Sequence, residues 1–428
     1  MIPLLPSKQG GIFQKSDIAM LGGHMNPCLP EEVGLSSERL ARIAPTMQKF
    51  IDARQAPGFL IAITRHGKLA YLKSLGWMDL ECSRPVREDA IFRIYSMSKP
   101  IATTALMILY EEGKALLQDP VSKYIPQFKD LKVCTGKTQT GLQLEPLNRE
   151  ITVFDLATHT AGLGYGLFTD SPVEDVFREA GIFRPDVLAM QYSLEETVKR
   201  LTQIPLANQP GTRWRYSMAI DVIGYLVQLI ADQPFDIFLK KRLFDPLGMV
   251  DTGFYVPKEK LERFAAMYMP DENKQIKLID SPSNSPFARP DATHSGGGGL
   301  VSTLHDYVNF TQMMLNKGEL EGARILGPKT VEKMTRNHLP SALLPFDLGG
   351  FVNPGQGFGL GFGINLDESV SNMAGSDGIY FWGGAASTSF HIDPKEDLTV
   401  VMMTQVLFNE IPFDQVLRQL VAQAILYS

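Results

Sequence analysis

Strand-like apolar runs in this chain crowd toward its two ends, and the stretch between them reads mostly as helix. Near the start, Phe59 to Thr64 and Lys68 to Leu75 flank Arg65-His66-Gly67, the pattern of a β-hairpin. Toward the finish come Gly357 to Ile364, Ile379 to Trp382, Ser387 to Ile392 and Leu398 to Thr404. From about 113 to 270, apolar residues recur largely at three and four, with breaks at proline and glycine. An isolated hairpin is marginal in water, so the early and late strands need each other. The expected fold class is therefore α/β (α+β). A mainly antiparallel sheet from both chain ends is flanked by helices, with a helical domain inserted. The expected boundaries are 1–30 for an extension, 31–112 and 271–428 for the sheet domain, and 113–270 for the helical domain.

Three helices can be placed more closely. Ser36 and Ser37 are caps for a helix carrying Leu40, Ile43, Met47, Phe50 and Ile51. Ile101, Ala105, Leu106 and Leu109 stripe a second one, which Gly113 ends. Phe413, Val416, Leu417, Leu420, Val421, Ala424 and Ile425 make an amphipathic closing helix. Ser193-Leu194-Glu195-Glu196 matches a capping box, and the polar residues 135–150 read as a surface excursion.

Composition removes several function classes. Of 428 residues, 44% are apolar and 21% charged, which excludes wholesale disorder, collagen and a small disulfide scaffold. The net charge of −6 without a basic block argues against a nucleic-acid partner. Cys28, Cys82 and Cys134 are scattered and odd in number, which favours a reducing compartment. The first twenty residues lack a basic segment followed by an apolar signal core. No apolar run reaches the ~18 residues that a membrane-crossing helix needs. The expectation is a soluble, cytoplasmic protein with no membrane partner.

The usual signatures of several chemistries are missing. No serine has glycine at both −2 and +2, so there is no nucleophile elbow. GxGxxG, GxxxxGK[ST] and HExxH are also absent, so no nucleotide, cofactor or metal site is expected. Ser96-Met97-Ser98-Lys99 remains, the sole Ser-x-x-Lys in the chain. It follows the apolar run Ile91 to Tyr95 and opens the striped helix, where residues three apart share a face. The Lys99 ammonium can then lie beside the Ser96 hydroxyl; the alternative is Ser96 as a plain cap with Lys99 solvated.

A hydroxyl nucleophile needs a base, which an ammonium at neutral pH is not. A tyrosinate held by lysine can serve, and Tyr216 follows the turn at Gln209-Pro210-Gly211 and precedes an apolar helix pattern. By itself such a tyrosine is usually structural, and its candidacy rests on the company it keeps. Trp382-Gly383-Gly384-Ala385 is the third element, where paired glycines admit another backbone or a ligand. A backbone N–H there could join that of Ser96 against a developing oxyanion; a glycine bulge on a strand is the alternative. Trp214, Tyr165, Phe168 and Phe358 could line a pocket or simply pack. His159 and His294 are tempting as bases but read more readily as core or loop histidines.

With these three elements in this order, the chain resembles the serine β-lactamase and penicillin-binding-protein superfamily. Within it the resemblance is to the class C-like family VIII carboxylesterases. Phe92 to Pro100, Asp119 to Tyr124, Leu156 to Leu163, Pro246 to Met249 and Gly297 to Thr303 add to it, collinear over about 31–428. The resemblance implies Ser96 as acylated nucleophile, with Lys99 and Tyr216 as the acid/base pair. It implies an oxyanion hole from the N–H groups of Ser96 and Ala385, and substrate contacts at Trp382, Gly383 and Gly384. It implies no cofactor and a small-molecule ester as partner.

Two departures from the class C pattern bear on substrate. Met218 stands where those β-lactamases carry an asparagine that binds the β-lactam amide. Trp382 stands where they carry the lysine of Lys-Thr-Gly, which binds a carboxylate. Loss of a charged hydrogen bond is worth about 1.5–3 kcal/mol, roughly ten- to hundredfold against anionic substrates. Neutral short-acyl esters lose nothing by that exchange. The alternatives are a β-lactamase or D-amino-acid peptidase, an acyltransferase of the same superfamily, and a non-catalytic member.

Overall fold

The early hairpin turns through His66 (φ 53°) and Gly67 (φ 69°), two successive left-handed residues, as a tight two-residue loop between twisted strands requires. The protein is described by a computed structural model covering residues 26–184, 186–371 and 373–426. In chain order, the elements that position the site begin with α1 (Ile43–Asp52), β1 (Gly58–Arg65), β2 (Lys68–Asp79) and β3 (Ile91–Arg93). Next are α2 (Ser98–Glu111), α3 (Ala219–Ala231), β4 (Val301–Thr303) and α4 (Leu304–Leu315). The late elements are β5 (Gln356–Phe358), β6 (Gly363–Asn365), β7 (Tyr380–Gly383), β8 (Ser389–Asp393), β9 (Leu398–Met403) and α5 (Phe413–Ala422).

Among the described residues the main sheet has nine strands. Its order runs Asn26–Pro27, β2, β1, β9, β8, β7, β6, β5, with Arg84–Pro85 on the end of β2. All pairs are antiparallel except Asn26–Pro27 with β2. The two chain ends meet where β1 pairs β9, Leu60 opposite Met403 and Ile63 opposite Val400. Every residue of β1 is buried, which explains its unbroken apolar run. Phe59, Ile61 and Ile63 join Ile43 and Met47 of α1 and Phe413, Leu417 and Val421 of α5 on one face. Leu60 and Ala62 join the larger core on the other face, which α4 and the helical region cover.

Several boundaries differ from the pattern reading. The helix expected from Ser36 is two pieces: Ser36 caps Ser37–Leu40, and α1 starts afresh at Ile43. Pro45 is the reason, because it has no N–H for the carbonyl of residue 41 and its ring crowds that position. The run Gly357 to Ile364 is two strands, β5 and β6, paired Phe358 to Gly363 around a glycine turn. The excursion at 135–150 belongs to a hairpin, Lys132–Thr138 with Gly141–Pro146, inside the stretch expected to be mainly helical. Of the expected extension, residues 1–25 lie outside the described residues, whereas Asn26 and Pro27 pair with Lys68 and Leu69 at the sheet edge. Among the described residues no single helix is long and apolar enough to cross a membrane.

Candidate active site

Ser96 sits where β3 runs into α2. β3 is held by pairing with β4, Phe92 opposite Ser302, and by the buried guanidinium of Arg93. That group donates to Asp280 at 2.6 and 2.9 Å and to the Ala265 carbonyl at 2.7 Å, and lies 3.9 Å from the Phe264 ring centre. The chain then passes through a single 3₁₀ turn, Tyr95–Met97, before α2. Tyr95 has a φ of 41°, a left-handed conformation costing a side-chain-bearing residue about 1–2 kcal/mol. Its phenol donates to the Val187 carbonyl at 2.8 Å, and its ring meets Phe287 edge-on, which hold the turn in place. The helix therefore begins at Ser98, two residues beyond the serine expected to open it.

The three residues singled out from sequence converge. The Tyr216 hydroxyl donates to Ser96 Oγ at 2.6 Å, and Lys99 Nζ donates to the same oxygen at 3.2 Å. Lys99 is 1% exposed; a second N–H reaches the Gly297 carbonyl at 2.6 Å, and the ammonium lies 4.5 Å from the centre of the Tyr216 ring. Tyr216 reaches Ser96 because residues 215–218 are strapped to the loop at 159–164. Arg215 N–H donates to the His159 carbonyl at 2.8 Å, and Met218 N–H to that of Gly164 at 3.1 Å. The Arg215 side chain adds a two-pronged pair with Asp170, both bonds 2.8 Å.

Trp382 is not merely a neutral stand-in for a lysine. Its indole N–H points to the Tyr216 phenol oxygen at 3.4 Å, and its ring packs against Tyr216 and Phe358. Gly384 lets the turn after β7 close on the segment that leads into Ser96: a Cβ there would collide with the Ile94 carbonyl oxygen and the Thr388 hydroxyl. Ala385 follows in the turn after β7 and, with Ser96, Tyr216 and Trp382, lines a cleft of about 630 Å³. Tyr165, Phe183 and Phe287 supply apolar wall. Of the other aromatics weighed from sequence, Trp214 and Phe358 are buried behind Tyr216, while Phe168 packs away from the cleft. Met218 is wholly buried in the core and does not face the cleft.

His159 is fully buried against the Tyr216 ring, with Nδ1 3.2 Å from the Ser217 hydroxyl. Burial, with Lys99 adding to it, holds its imidazole well below the ordinary histidine range, so it sits there neutral. Burial, with Tyr216 and Asp221 adding to it, keeps the Tyr165 phenol well above the usual tyrosine value. Sequence reasoning missed Asp221, wholly buried in the first turn of α3, and Ser295, which hydrogen-bonds to it at 2.5 Å. The available signal was a single carboxylate in the apolar run Ala219-Ile220-Asp221-Val222-Ile223.

Known proteins place this arrangement in a family. The family model described as Beta-lactamase matches residues 43–424. Protein Rv1367c of Mycobacterium tuberculosis (strain ATCC 25618 / H37Rv) is 33% identical over 365 residues, covering 84% of this chain and 88% of its own length. Esterase EstB of Burkholderia gladioli is 29% identical over 384 residues, covering 86% of this chain and 91% of its own. Among solved structures, EstCE1, described as a hydrolase with promiscuous acyltransferase activity, superposes with a TM-score of 0.77 at 27% identity. The match covers 90% of this chain and 99% of that one. The chain thus belongs to the Beta-lactamase family and is a serine hydrolase on its family VIII esterase side.

Proposed function

We propose that the protein is a carboxylesterase for small, neutral, short-acyl esters, working through an acyl-enzyme on Ser96. The observation that carries this reading is the meeting of Tyr216 Oη and Lys99 Nζ at Ser96 Oγ, 2.6 and 3.2 Å away.

Once the Tyr216 hydroxyl has given its proton to solvent, the phenolate, beside the Lys99 ammonium and the Trp382 N–H, takes the Ser96 proton as Oγ attacks the ester carbonyl. The oxyanion that forms lies against the backbone N–H groups of Ser96 and Ala385, where fixed donors act most strongly. Collapse breaks the carbon–oxygen bond to the alcohol, and the Tyr216 phenol returns the proton to the leaving oxygen. Water then repeats the sequence on the acyl-enzyme: Tyr216 takes its proton, the acid leaves, and Ser96 Oγ recovers a proton from the phenol. His159, neutral and walled off behind the ring, takes no proton in this scheme.

The aromatic cleft wall and the absence of a lysine at position 382 support neutral esters over substrates that present a carboxylate to that strand. The test compares p-nitrophenyl butyrate with a chromogenic cephalosporin on one preparation, for the wild type and Ser96→Ala. Rapid release of nitrophenol, lost in a folded Ser96→Ala variant, is the expected result. Faster turnover of the cephalosporin would favour the β-lactamase reading, and undiminished esterase activity in Ser96→Ala would reject the nucleophile. An added alcohol acceptor that diverts acyl groups into new ester would favour acyl transfer, the activity described for EstCE1.

A further inference from the structure

The Lys99 ammonium is buried, and among the described residues no carboxylate pairs with it directly. A line of hydrogen bonds nevertheless joins it to one. Lys99 Nζ donates to the Gly297 carbonyl at 2.6 Å. The N–H of that same peptide, on Gly298, donates to Ser295 Oγ at 3.0 Å. The Ser295 hydroxyl donates to Asp221 Oδ1 at 2.5 Å, and Oδ1 also accepts the Gly297 N–H at 3.0 Å. Ammonium, peptide, hydroxyl and carboxylate thus stand in series, each bond polarising the next.

The surroundings argue that the carboxylate is there for its charge. Asp221 lies among Ala219, Ile220, Val222 and Ile223 in the buried face of α3, and its Oδ2 has no partner among the described residues. A tether from α3 to the 295–299 loop needs no buried charge, and an uncompensated one is costly. Gly297 fits the same purpose, because any Cβ there would strike the Asp221 carboxylate. The titratable groups facing Lys99 are Tyr216, Tyr165, His159 and Asp221. His159 is held neutral and the Tyr165 phenol protonated. Burial pushes the Asp221 carboxyl up, while the Ser295 hydroxyl, Lys99 and the Gly297 N–H pull it down. Apart from the Tyr216 phenolate of the proposed mechanism, Asp221 is the carboxylate that faces the ammonium.

We propose that Asp221 and Ser295 are positioning residues that deliver counter-charge to Lys99 through the Gly297–Gly298 peptide and hold the ammonium between Ser96 and Tyr216. The proposal rests on the reading that Ser96, Lys99 and Tyr216 perform the chemistry. The tetraglycine stretch before β4 then carries an electrostatic connection as well as making a turn.

The experiment measures kcat, KM and their pH dependence with p-nitrophenyl butyrate for the wild type, Asp221→Asn, Ser295→Ala, the double variant and Ser96→Ala. Asp221→Asn should lower kcat by about ten- to hundredfold with KM within about twofold. Its alkaline limb should move to lower pH, because the ammonium has lost its counter-charge. Ser295→Ala should do the same more weakly, and the double variant should be no worse than Asp221→Asn, as expected for one chain. Folded variants with wild-type kcat and an unmoved alkaline limb would overturn the proposal. If Asp221→Asn fails to fold, Ser295→Ala decides alone by the same two readouts. Activity surviving in Ser96→Ala would reject the proposed function itself, whereas inactive Ser96→Ala beside unaffected Asp221→Asn and Ser295→Ala would reject this inference alone.

Discussion

Gly383 and Gly384 are adjacent in sequence, yet alanine at the two positions should have opposite outcomes. A Cβ on Gly384 would sit roughly 1 Å too close to the Ile94 carbonyl oxygen, an atom two residues before Ser96, the proposed nucleophile. It would also press on the Thr388 hydroxyl, and neither neighbour is the free end of a flexible chain. The turn after β7 is clamped by the Gly384 N–H to Thr388 carbonyl bond at 2.7 Å, so the strain spreads into the spacing between Ala385 and Ser96. A displacement of about 1 Å at a reacting centre costs about a hundredfold in rate. Overpacking of this kind costs about 1–3 kcal/mol of stability. At Gly383, by contrast, the nearest neighbour of a Cβ is the Thr388 carbonyl oxygen at 3.2 Å, a contact that a small adjustment relieves. Steady-state kinetics with p-nitrophenyl butyrate, alongside thermal melts, should show Gly384→Ala losing about a hundredfold in kcat/KM and Gly383→Ala staying within about fivefold. Equal activity in the two variants, or a fully active Gly384→Ala, would refute the idea that this glycine sets the width of the proposed oxyanion site.

Three further outcomes follow from named contacts. Trp382→Lys should raise kcat/KM for a carboxylate-bearing ester relative to a neutral one by about tenfold, as a charged donor enters the cleft; a fall in that ratio contradicts the role given to the indole. Arg93→Met leaves Asp280 buried beside Ser285 without its cation, and urea unfolding should show a loss of about 3–5 kcal/mol. His391 is buried, and burial with Arg418 beside it holds its imidazole well below the ordinary 6.5. Its contribution to stability is complete above about pH 6.5 and declines as pH falls, because the unfolded chain takes up the proton first. Between pH 7.5 and 5.5, His391→Leu should lose less stability than the wild type in urea titrations, by at most about 1.4 kcal/mol, and parallel losses would contradict this.

The electrostatic pattern of the site explains why its parts are spread so widely along the chain. A buried ammonium, a phenol and a serine hydroxyl need a dry, rigid setting, and α2 supplies it by being buried from Ser98 through Leu109. The sheet built from the two terminal stretches supplies Trp382 on β7 and Gly384 in the turn after it, and the helical region supplies Tyr216 and Asp221. The cleft opens between these two parts, the usual place for a small-molecule site.

Sequence alone determined the elements whose causes are local. The hairpin, the apolar α2 and the nearness of Lys99 to Ser96 follow from short-range pattern and are found in the fold, although Ser96 lies in the 3₁₀ turn before α2 and not in the helix. Motif order further brought Tyr216 and Trp382 into consideration, though no local feature distinguished either from ordinary packing. Tertiary structure alone decided that the phenol of residue 216 touches a hydroxyl 120 positions earlier, and that the Trp382 N–H faces that phenol. It alone joined Ser295 to Asp221 across 74 residues of sequence and Lys99 to the Gly297 carbonyl across 198. The physical reason is that hydrophobic periodicity records which face of an element is hidden from water but not what hides it. A buried polar group leaves still less trace, because its partners are chosen by three-dimensional proximity, and hydrogen bonding demands only that they exist.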